Sequence, residues 1–190
     1  GVSIAVHRRH AQATVDGRPL APDRLLDDGD EVPFSGGRLR IIHTPGHESG
    51  HCCFLEPDRG WLFTGDTILS TGTTVIAPPD GDMRAYLASL ERLARLELTR
   101  IFPGHGSPID RPYETIADYI AHRRDREAQI VAALAAGRTR ITDIVPALYA
   151  DVPRILHGMA GLQVRAHLDK LVAEGRVVAA DDGEGFTLRA

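Results

Sequence analysis

Three short segments of the chain place a histidine or an aspartate in a glycine-containing turn. They are HTPGHESGH at residues 43–51, TGDT at 64–67 and FPGHG at 102–106. Imidazole nitrogen and carboxylate oxygen are ligands that zinc accepts, and catalytic zinc sites keep one position open for water. Glycine beside each ligand allows the backbone to turn sharply. We therefore predict that His47, Asp66 and His105 are metal ligands.

The chemistry expected of such a site is hydrolysis. A bound cation lowers the pKa of its water to about 7, and two cations about 3.5–4 Å apart can share the resulting hydroxide. A carboxylate has two oxygens and suits a position between two cations, which is the role we expect for Asp66. The expected cofactors are two divalent metal ions, with zinc as the first choice.

The first segment contains more histidine than one ligand position needs. Three of the nine histidines of the chain lie within residues 43–51, and a cluster of polar surface residues is an alternative explanation. His51, four residues after His47, either binds substrate or is bonded to the backbone at the start of a strand. His43 precedes the turn and is expected to be structural, as a partner behind the ligands.

Short apolar strands are predicted before each ligand turn. A rigid sheet whose strand ends carry such loops is a common way to build a site. A buried strand is also predicted at the start of the chain, before two Asp-Gly turns. The predicted strands cover residues 2–6, 39–42, 52–55, 61–64 and 99–102.

A change in spacing marks the start of a helix at residue 83. Apolar residues recur three and four positions apart from Met83 to Ala94, and Asp82 is suited to cap the first turn. A second helix is predicted from residue 112 to about 136. Its middle, residues 122–127, is almost wholly charged, so we expect this helix to cross solvent between two bodies.

The last third of the chain has a different organisation. Helices are predicted within residues 141–148 and 156–174, and the segment from Arg176 onward has the turn residues of a β-hairpin. Three helices followed by a terminal hairpin are typical of a winged-helix domain. We place the boundary between a first domain, residues 1–121, and a winged-helix-like domain, residues 122–190.

The composition bears on compartment and partners. The formal net charge is −4, which gives no global attraction for nucleic acid. No apolar run approaches the roughly 18 residues of a membrane span, and no secretory apolar region is visible. Cys52 and Cys53 are adjacent and point to opposite faces of a strand, so we expect buried, inert thiols and a reducing cytoplasm.

The three ligand segments resemble, in order, the third, fourth and fifth motifs of the metallo-β-lactamase superfamily. The matching stretches are HTPGH at 43–47, TGDT at 64–67 and FPGHG at 102–106. The resemblance implies an α/β (α+β) fold, namely part of an αββα sandwich. It also implies that His47 completes one metal site, that Asp66 bridges and that His105 belongs to the second site.

Further stretches resemble the β-lactamase-like protein 2 group of this superfamily, which includes an endoribonuclease. The likeness extends over nearly the whole chain from about Leu25 and implies single-stranded RNA as a substrate. It also matches His51 with a second histidine near the metal centre. The stretches are GTTV at 72–75, GDMRAYL at 81–87, YIAHR at 119–123 and the winged-helix tail.

The HxHxDH motif of the family, which supplies most of its metal ligands, has no match in the chain. His7-Arg-Arg-His10 has a different spacing and lacks the aspartate. That motif lies upstream in the family, and the chain opens on Gly1 in a strand-like run, so we expect the N-terminal part of the sandwich to lie outside these residues. Since three ligands shared between two sites hold metal weakly, we expect these residues alone to be weakly active or inactive.

Two classes of function are compatible with these observations. The first is a hydrolase with a metal-bound hydroxide, acting on single-stranded RNA, on a thioester of the glyoxalase II type or on another small ester. The second is a non-catalytic winged-helix module that binds nucleic acid. Residues 123–190 contain ten Lys plus Arg and nine Asp plus Glu, and a net charge of +1 is small for a phosphate-binding surface. We favour the hydrolase, expect no membrane or DNA partner, and leave a homodimer open.

Overall fold

The computed structural model describes residues 3–12, 14, 15 and 17–189 of the chain. Among these residues, no helix combines the length and the apolar character that crossing a membrane requires. The strands are β1 Ala5–His7, β2 Thr14–Val15, β3 Arg18–Pro19, β4 Arg24–Leu26, β5 Glu31–Phe34, β6 Gly37–His43, β7 Cys52–Glu56, β8 Trp61–Gly65, β9 Arg100–Pro103, β10 Val177–Ala179 and β11 Phe186–Leu188. The α-helices are α1 Met83–Leu93, α2 Pro112–Ala135, α3 Ile141–Leu148 and α4 His157–Ala173, and short 3-10 helices span Arg8–His10 and Arg154–Leu156.

Five strands form one sheet in the order β5-β6-β7-β8-β9. The pairs from β5 to β8 are antiparallel, whereas β8 and β9 are parallel. Parallel neighbours need a long crossover, and α1 provides it between these two strands. The predicted cap is confirmed, since the Asp82 carboxylate accepts a hydrogen bond from the Ala85 backbone N–H at 3.0 Å. The carboxyl ends of β8 and β9 therefore lie side by side.

One face of this sheet, the covered face, packs against α1 and the first half of α2. Side chains alternate between the two faces of a strand, and those of the covered face are almost completely removed from water. Tyr86 and Leu90 of α1 and Ile116 of α2 have 0% of their surface exposed. The covered face consists of Ile42, Cys53, Leu55, Leu62 and Ile101.

The opposite face, the open face, has aromatic side chains that reach solvent. Phe63 is 37% exposed and stacks on Phe102 with ring centroids 5.1 Å apart, and Trp61 meets the same ring edge-on at 5.3 Å. Phe34 is 48% exposed. These rings and Phe54 line or adjoin a depression of about 620 Å³. We define the open face as Phe34, Phe54, Trp61, Phe63 and Phe102.

The prediction of a buried strand at residues 2–6 was wrong in extent and burial. Val2 lies outside the described residues. The strand runs from Ala5 to His7, and its side chains are exposed or half-buried. The reason is its pairing, because β1 forms a two-stranded sheet with β4 alone. The His7 ring stacks on His43 at 4.1 Å and so connects this small sheet to the large one.

The two cysteines differ in burial. Cys53 on the covered face is fully buried, as expected, whereas Cys52 is half-buried. Burial raises the pKa of the Cys52 thiol to about 12 and that of Cys53 to about 11. Both side chains are therefore neutral thiols near neutral pH, in agreement with the prediction of inert cysteines.

The expectation that α2 crosses solvent was also wrong. One side of its charged middle is packed against neighbouring segments, whereas His122, Arg124 and Asp125 on the other side are exposed. Arg123 is only 2% exposed. Glu127 accepts hydrogen bonds from Lys170 of α4 at 2.6 Å and from Arg176 at 2.7 Å. Arg124, which is exposed, forms an ion pair with Glu91 of α1 at 3.0 Å.

The second half of α2 joins α3, α4 and the β10–β11 hairpin in a winged-helix arrangement, which confirms that prediction. Its core is a separate apolar cluster, to which α2 contributes Ile130 and Leu134. The predicted boundary between residues 121 and 122 lies inside α2 and stays a prediction. The other main members of this cluster are Ile144, Val145, Val164, Leu168, Leu171, Val177 and Phe186.

Candidate metal centre

The loop after β6 is closed at its base and held against α1. The Thr44 N–H donates to the His51 carbonyl at 2.9 Å, and the His43 ring bonds to the Ser49 carbonyl at 2.8 Å, which gives His43 the structural role expected of it. Gly46 has φ +135° and touches the Tyr86 backbone, so an added Cβ there would overlap α1. Glycine is required at this position because the helix lies directly on the loop.

The two other ligand loops begin at neighbouring strand ends. Asp66 directly follows β8, and His105 follows β9 by two residues. Gly106 has φ +96°, and a side chain at this position would overlap the hydroxyl of Ser70. That hydroxyl accepts a hydrogen bond from the Ser107 N–H at 3.0 Å. The parallel register of β8 and β9 therefore brings Asp66 and His105 to one edge of the sheet.

The structure brings His47, Asp66 and His105 together in a defined order. The Nε2 atom of His47 lies 3.8 Å from Oδ2 of Asp66. The Nε2 atom of His105 lies 3.4 Å from Oδ1 of the same carboxylate. Each imidazole thus faces a different oxygen of Asp66. In tetrahedral zinc with bonds of about 2.0–2.2 Å, two ligand atoms stand roughly 3.4 Å apart, so both pairs are near the separation of ligands that share an ion.

The hydrogen bonding of His47 fixes which of its nitrogens can bind a cation. Nδ1 lies 2.7 Å from the Val75 carbonyl. A carbonyl only accepts, so Nδ1 carries a proton, and Nε2, on the side of Asp66, is the nitrogen left to bind a cation. This is the arrangement of a metal-binding histidine whose other nitrogen is held by a backbone carbonyl. The donor set therefore fits divalent cations of the zinc type.

The three side chains do not form a closed cage. Over residues 3–12, 14, 15 and 17–189, no group of three or more His, Cys, Asp or Glu side chains has the geometry to hold a single ion. The His105 side chain is 77% exposed and that of Asp66 is 43% exposed. The arrangement consists of two imidazole–carboxylate pairs that share Asp66.

His51 is engaged within the protein on both sides of its ring. Nε2 accepts a hydrogen bond from the Asp66 N–H at 3.2 Å, and Nδ1 faces the hydroxyls of Thr44 at 3.0 Å and Thr67 at 3.1 Å. Burial, with a contribution from His47, lowers the pKa of His51 to about 4, so its ring is neutral. These contacts correspond to the backbone-bonded alternative, and substrate contact by His51 stays a prediction.

Other groups at the centre were not expected from the sequence to act there. The Val75 carbonyl orients His47, and the Thr74 hydroxyl donates to the Asp66 carbonyl at 2.8 Å. Both belong to the GTTV stretch, which was noted for its family likeness without a role. A backbone carbonyl leaves no signal in the sequence. Only the family resemblance of the GTTV stretch therefore pointed to this segment.

Comparisons with known proteins identify the family of each part of the chain. Residues 4–105 match the family model of the metallo-beta-lactamase superfamily, and residues 141–185 match the beta-lactamase associated winged helix domain. A beta-lactamase-like protein 2 homolog of Caenorhabditis elegans is 39% identical over 154 residues, which are 80% of this chain and 50% of that protein. A thioesterase of Emericella nidulans is 40% identical over 118 residues, which are 60% of this chain and 34% of that protein.

The fold has a close counterpart among solved structures. A metallo-beta-lactamase family protein of Thermus thermophilus superposes with a TM-score of 0.83 at 21% identity, over 100% of this chain and 72% of that one. The chain spans about half the length of the beta-lactamase-like protein 2 homolog that it matches. Since more than half of the chain matches the family model, the chain belongs to the metallo-β-lactamase superfamily.

Proposed function

We propose that this chain provides the C-terminal ligands of a metal-dependent hydrolase. One observation supports the proposal above the others: His47 and His105 face separate oxygens of Asp66, at 3.8 and 3.4 Å. A carboxylate between two imidazoles would suit a pair of divalent cations, which these three residues would help to hold. We also propose that the two cations are zinc and that the protein acts in the cytoplasm.

Each of the three residues has a separate task in this proposal. His47 would bind one cation through Nε2, His105 the other, and Asp66 both. Two cations, when bound, supply an activated water molecule and stabilise the charge that develops on the leaving oxygen. The protein holds the Nδ1 proton of His47 through the Val75 carbonyl and leaves His105 exposed to solvent.

Single-stranded RNA is the substrate we propose first. Its support is the resemblance to the β-lactamase-like protein 2 group, which includes an endoribonuclease, and a homolog with that name matches 80% of the chain. The winged-helix part adds little to this choice, since its net charge of +1 is small. Thioesters form the second candidate class, because a thioesterase is 40% identical over 60% of the chain.

The deciding experiment uses the full-length protein with Asp66→Ala. We expect this variant to lose hydrolysis and most of its tightly bound metal after dialysis, because both cations lose a ligand at once. Asp58→Ala is the matched control, an exposed aspartate in the turn between β7 and β8, and it should retain both. Equal metal content in Asp66→Ala and Asp58→Ala would refute the proposed centre.

The substrate is assigned by a parallel assay under one metal condition. A structureless RNA, a glutathione thioester and a β-lactam are incubated with the same enzyme. Efficient cleavage of RNA supports the first choice, and thioester turnover with intact RNA supports the second. Salt-sensitive binding of duplex DNA without any hydrolysis would instead support the non-catalytic winged-helix module.

A separate measurement tests the contribution of the upstream part of the protein. The 190-residue chain is compared with the full-length protein by metal analysis after dialysis. We expect the chain to bind divalent ions weakly or partially and the full-length protein to retain two. Equal, stoichiometric metal in the short chain would mean that the ligands have been wrongly assigned.

A further inference from the structure

The dipeptide Thr74–Val75 contacts two proposed metal ligands, namely the ring of His47 and the backbone of Asp66. The Val75 carbonyl accepts from His47 Nδ1 at 2.7 Å. The Thr74 hydroxyl lies 2.8 Å from the carbonyl of Asp66 and 3.1 Å from that of Thr67, and can donate to either. A displacement of this dipeptide would therefore shift both His47 and Asp66.

The dipeptide is held in turn by the two long helices of the C-terminal part. The Thr74 carbonyl accepts from Arg123 Nη2 of α2 at 2.6 Å and from Gln163 Nε2 of α4 at 3.0 Å. Arg123 Nη1 also donates to Gln163 Oε1 at 3.4 Å. Thr74 is 1%, Arg123 2% and Gln163 9% exposed, so the whole contact is sealed from water.

Arg123 is buried at an energetic cost that packing alone does not explain. Among the described residues, no carboxylate lies within ion-pair distance of its guanidinium, and its Nε–H has no acceptor. The charge is compensated by carbonyl oxygens and by the ring of Tyr86, whose centroid is 5.3 Å from the guanidinium carbon. A buried cation with so few partners is less stabilising than an apolar side chain of similar size. What it provides is a planar donor group aimed at a fixed point.

We propose that Arg123, assisted by Gln163, is a positioning residue for the metal centre. It fixes the Thr74 carbonyl and, through Thr74 and Val75, sets the direction of the His47 ring and the Asp66 backbone. The C-terminal helical part is then a structural component of the centre. The inference rests on the proposed function, since it concerns the same ligands.

The main test replaces Arg123 by Met in the full-length protein, with Arg124→Met as the matched control. Arg124 is the next residue of the same helix, but it is exposed and its ion pair is made to Glu91. Loss of a group bonded directly to a metal ligand lowers metal affinity by about 10–100-fold, and Arg123 acts one step further out, through the Thr74 carbonyl. We therefore expect a loss at the lower end, about tenfold, for Arg123→Met, measured by chelator competition, and a change within about twofold for Arg124→Met.

A second readout does not depend on metal binding or on activity. In metal-free protein, the imidazole nitrogens of His47 are observed by 15N NMR, with His47→Gln for assignment. The parent protein should show a protonated Nδ1 that is hydrogen-bonded to the Val75 carbonyl. Arg123→Met should shift His47 toward a mixture of the two tautomers, whereas Arg124→Met should match the parent.

Further variants distinguish a loss of ligand positioning from a general loss of folding. Thr74→Val removes the hydroxyl that donates to the Asp66 or Thr67 carbonyl and retains the Thr74 carbonyl, whereas Thr74→Ser keeps the hydroxyl. We expect Thr74→Val to lower metal affinity by about tenfold and Thr74→Ser to restore it. Arg123→Lys should recover part of the affinity, because one donor can still reach the Thr74 carbonyl.

The outcomes separate this inference from the proposed function. A shifted tautomer in Arg123→Met supports positioning even if the parent protein binds no divalent ion, a result that would refute only the proposed function. An unchanged His47 ring in folded Arg123→Met would overturn the inference, as would metal affinity equal to that of Arg124→Met in a protein that does bind metal.

Discussion

The two faces of the five-stranded sheet differ sharply, although they are formed by alternate residues of the same strands. Leu62 on the covered face is 0% exposed, whereas its neighbour Phe63 on the open face is 37% exposed. The covered face has a complete helical layer, and the open face has an apolar depression of about 620 Å³. Within the described residues, the sheet is therefore closed by helices on one face, whereas the aromatic part of the other face stays available for packing, even though Ile41 on that face is 0% exposed.

The largest effect should come from truncating the covered face. Leu62→Ala removes a side chain that is fully enclosed by the sheet and α1. We expect it to lower the free energy of unfolding by about 2–5 kcal/mol, the range for such cavities. Urea denaturation of the chain measures the change. A loss below about 1 kcal/mol would mean that the covered face is loosely packed and would break the comparison.

The second largest effect is expected at acidic pH, where the helical layer behind the covered face should lose stability. His167 of α4 is 0% exposed, and burial, followed by the nearby Arg123, lowers its pKa to about 3. Lys170 and Arg126 act in the same direction, and Glu127 opposes them. The folded state therefore binds fewer protons than the unfolded state between pH about 6.5 and 3. Its stability is complete above this window and falls as the pH decreases through it.

At pH 5 this effect amounts to about 2 kcal/mol relative to pH 7.5, from about 1.4 kcal/mol per pH unit. His167→Gln should remove most of the difference between the urea midpoints at the two pH values. His122→Gln, a change at an exposed residue of α2, should leave most of it. Equal acid sensitivity in His167→Gln and the parent would show that other groups govern the acid response of this layer.

A smaller effect is expected where the helical layer holds the first ligand loop. The Ser89 hydroxyl of α1 donates to the Pro45 carbonyl at 2.8 Å, and Ser89 is 4% exposed. Ser89→Ala leaves this carbonyl without its partner, and we expect a loss of about 1 kcal/mol. Hydrogen exchange of residues 44–51 should also accelerate. Unchanged stability and exchange rates would show that this hydrogen bond does not hold the loop against α1.

The smallest effect should come from the open face. Phe63→Thr keeps a strand-forming residue but removes an exposed ring, so we expect a loss below about 1 kcal/mol in the chain. In the full-length protein, where the proposed upstream part would cover this face, the same change should cost clearly more. Equal small losses in both proteins would indicate that the open face stays uncovered, and a large loss in the chain would erase the difference between the faces.

Much of the ligand arrangement could be predicted from the sequence. Apolar strand runs located β6, β8 and β9, and the glycine-containing turns after them pointed to His47, Asp66 and His105. These features are local, because a strand end and a sharp turn are encoded by adjacent residues. The winged-helix part was predicted equally well, because its helices and its hairpin each have a recognisable sequence pattern.

Predictions that depended on a distant partner were less successful. The charged middle of α2 gave the expectation of a solvent-crossing helix, yet Arg123 is 2% exposed. The strand near the start of the chain was expected to be buried, but β1 pairs only with β4. In both cases the local pattern states which residues are polar or apolar, and it does not state what packs against them.

The sequence by itself determined the order and chemical type of the proposed ligands, the strands that precede them and the class of both parts of the chain. Only the tertiary structure decided how the ligands are held. Thr74 and Arg123 are 49 residues apart, and Thr74 and Gln163 are 89 apart. Hydrogen bonds over such separations form only when helices and loops pack in one arrangement, and their acceptor here is a backbone carbonyl that every residue possesses. A one-dimensional pattern therefore cannot distinguish Arg123, which reaches the Thr74 carbonyl, from the exposed Arg124 beside it.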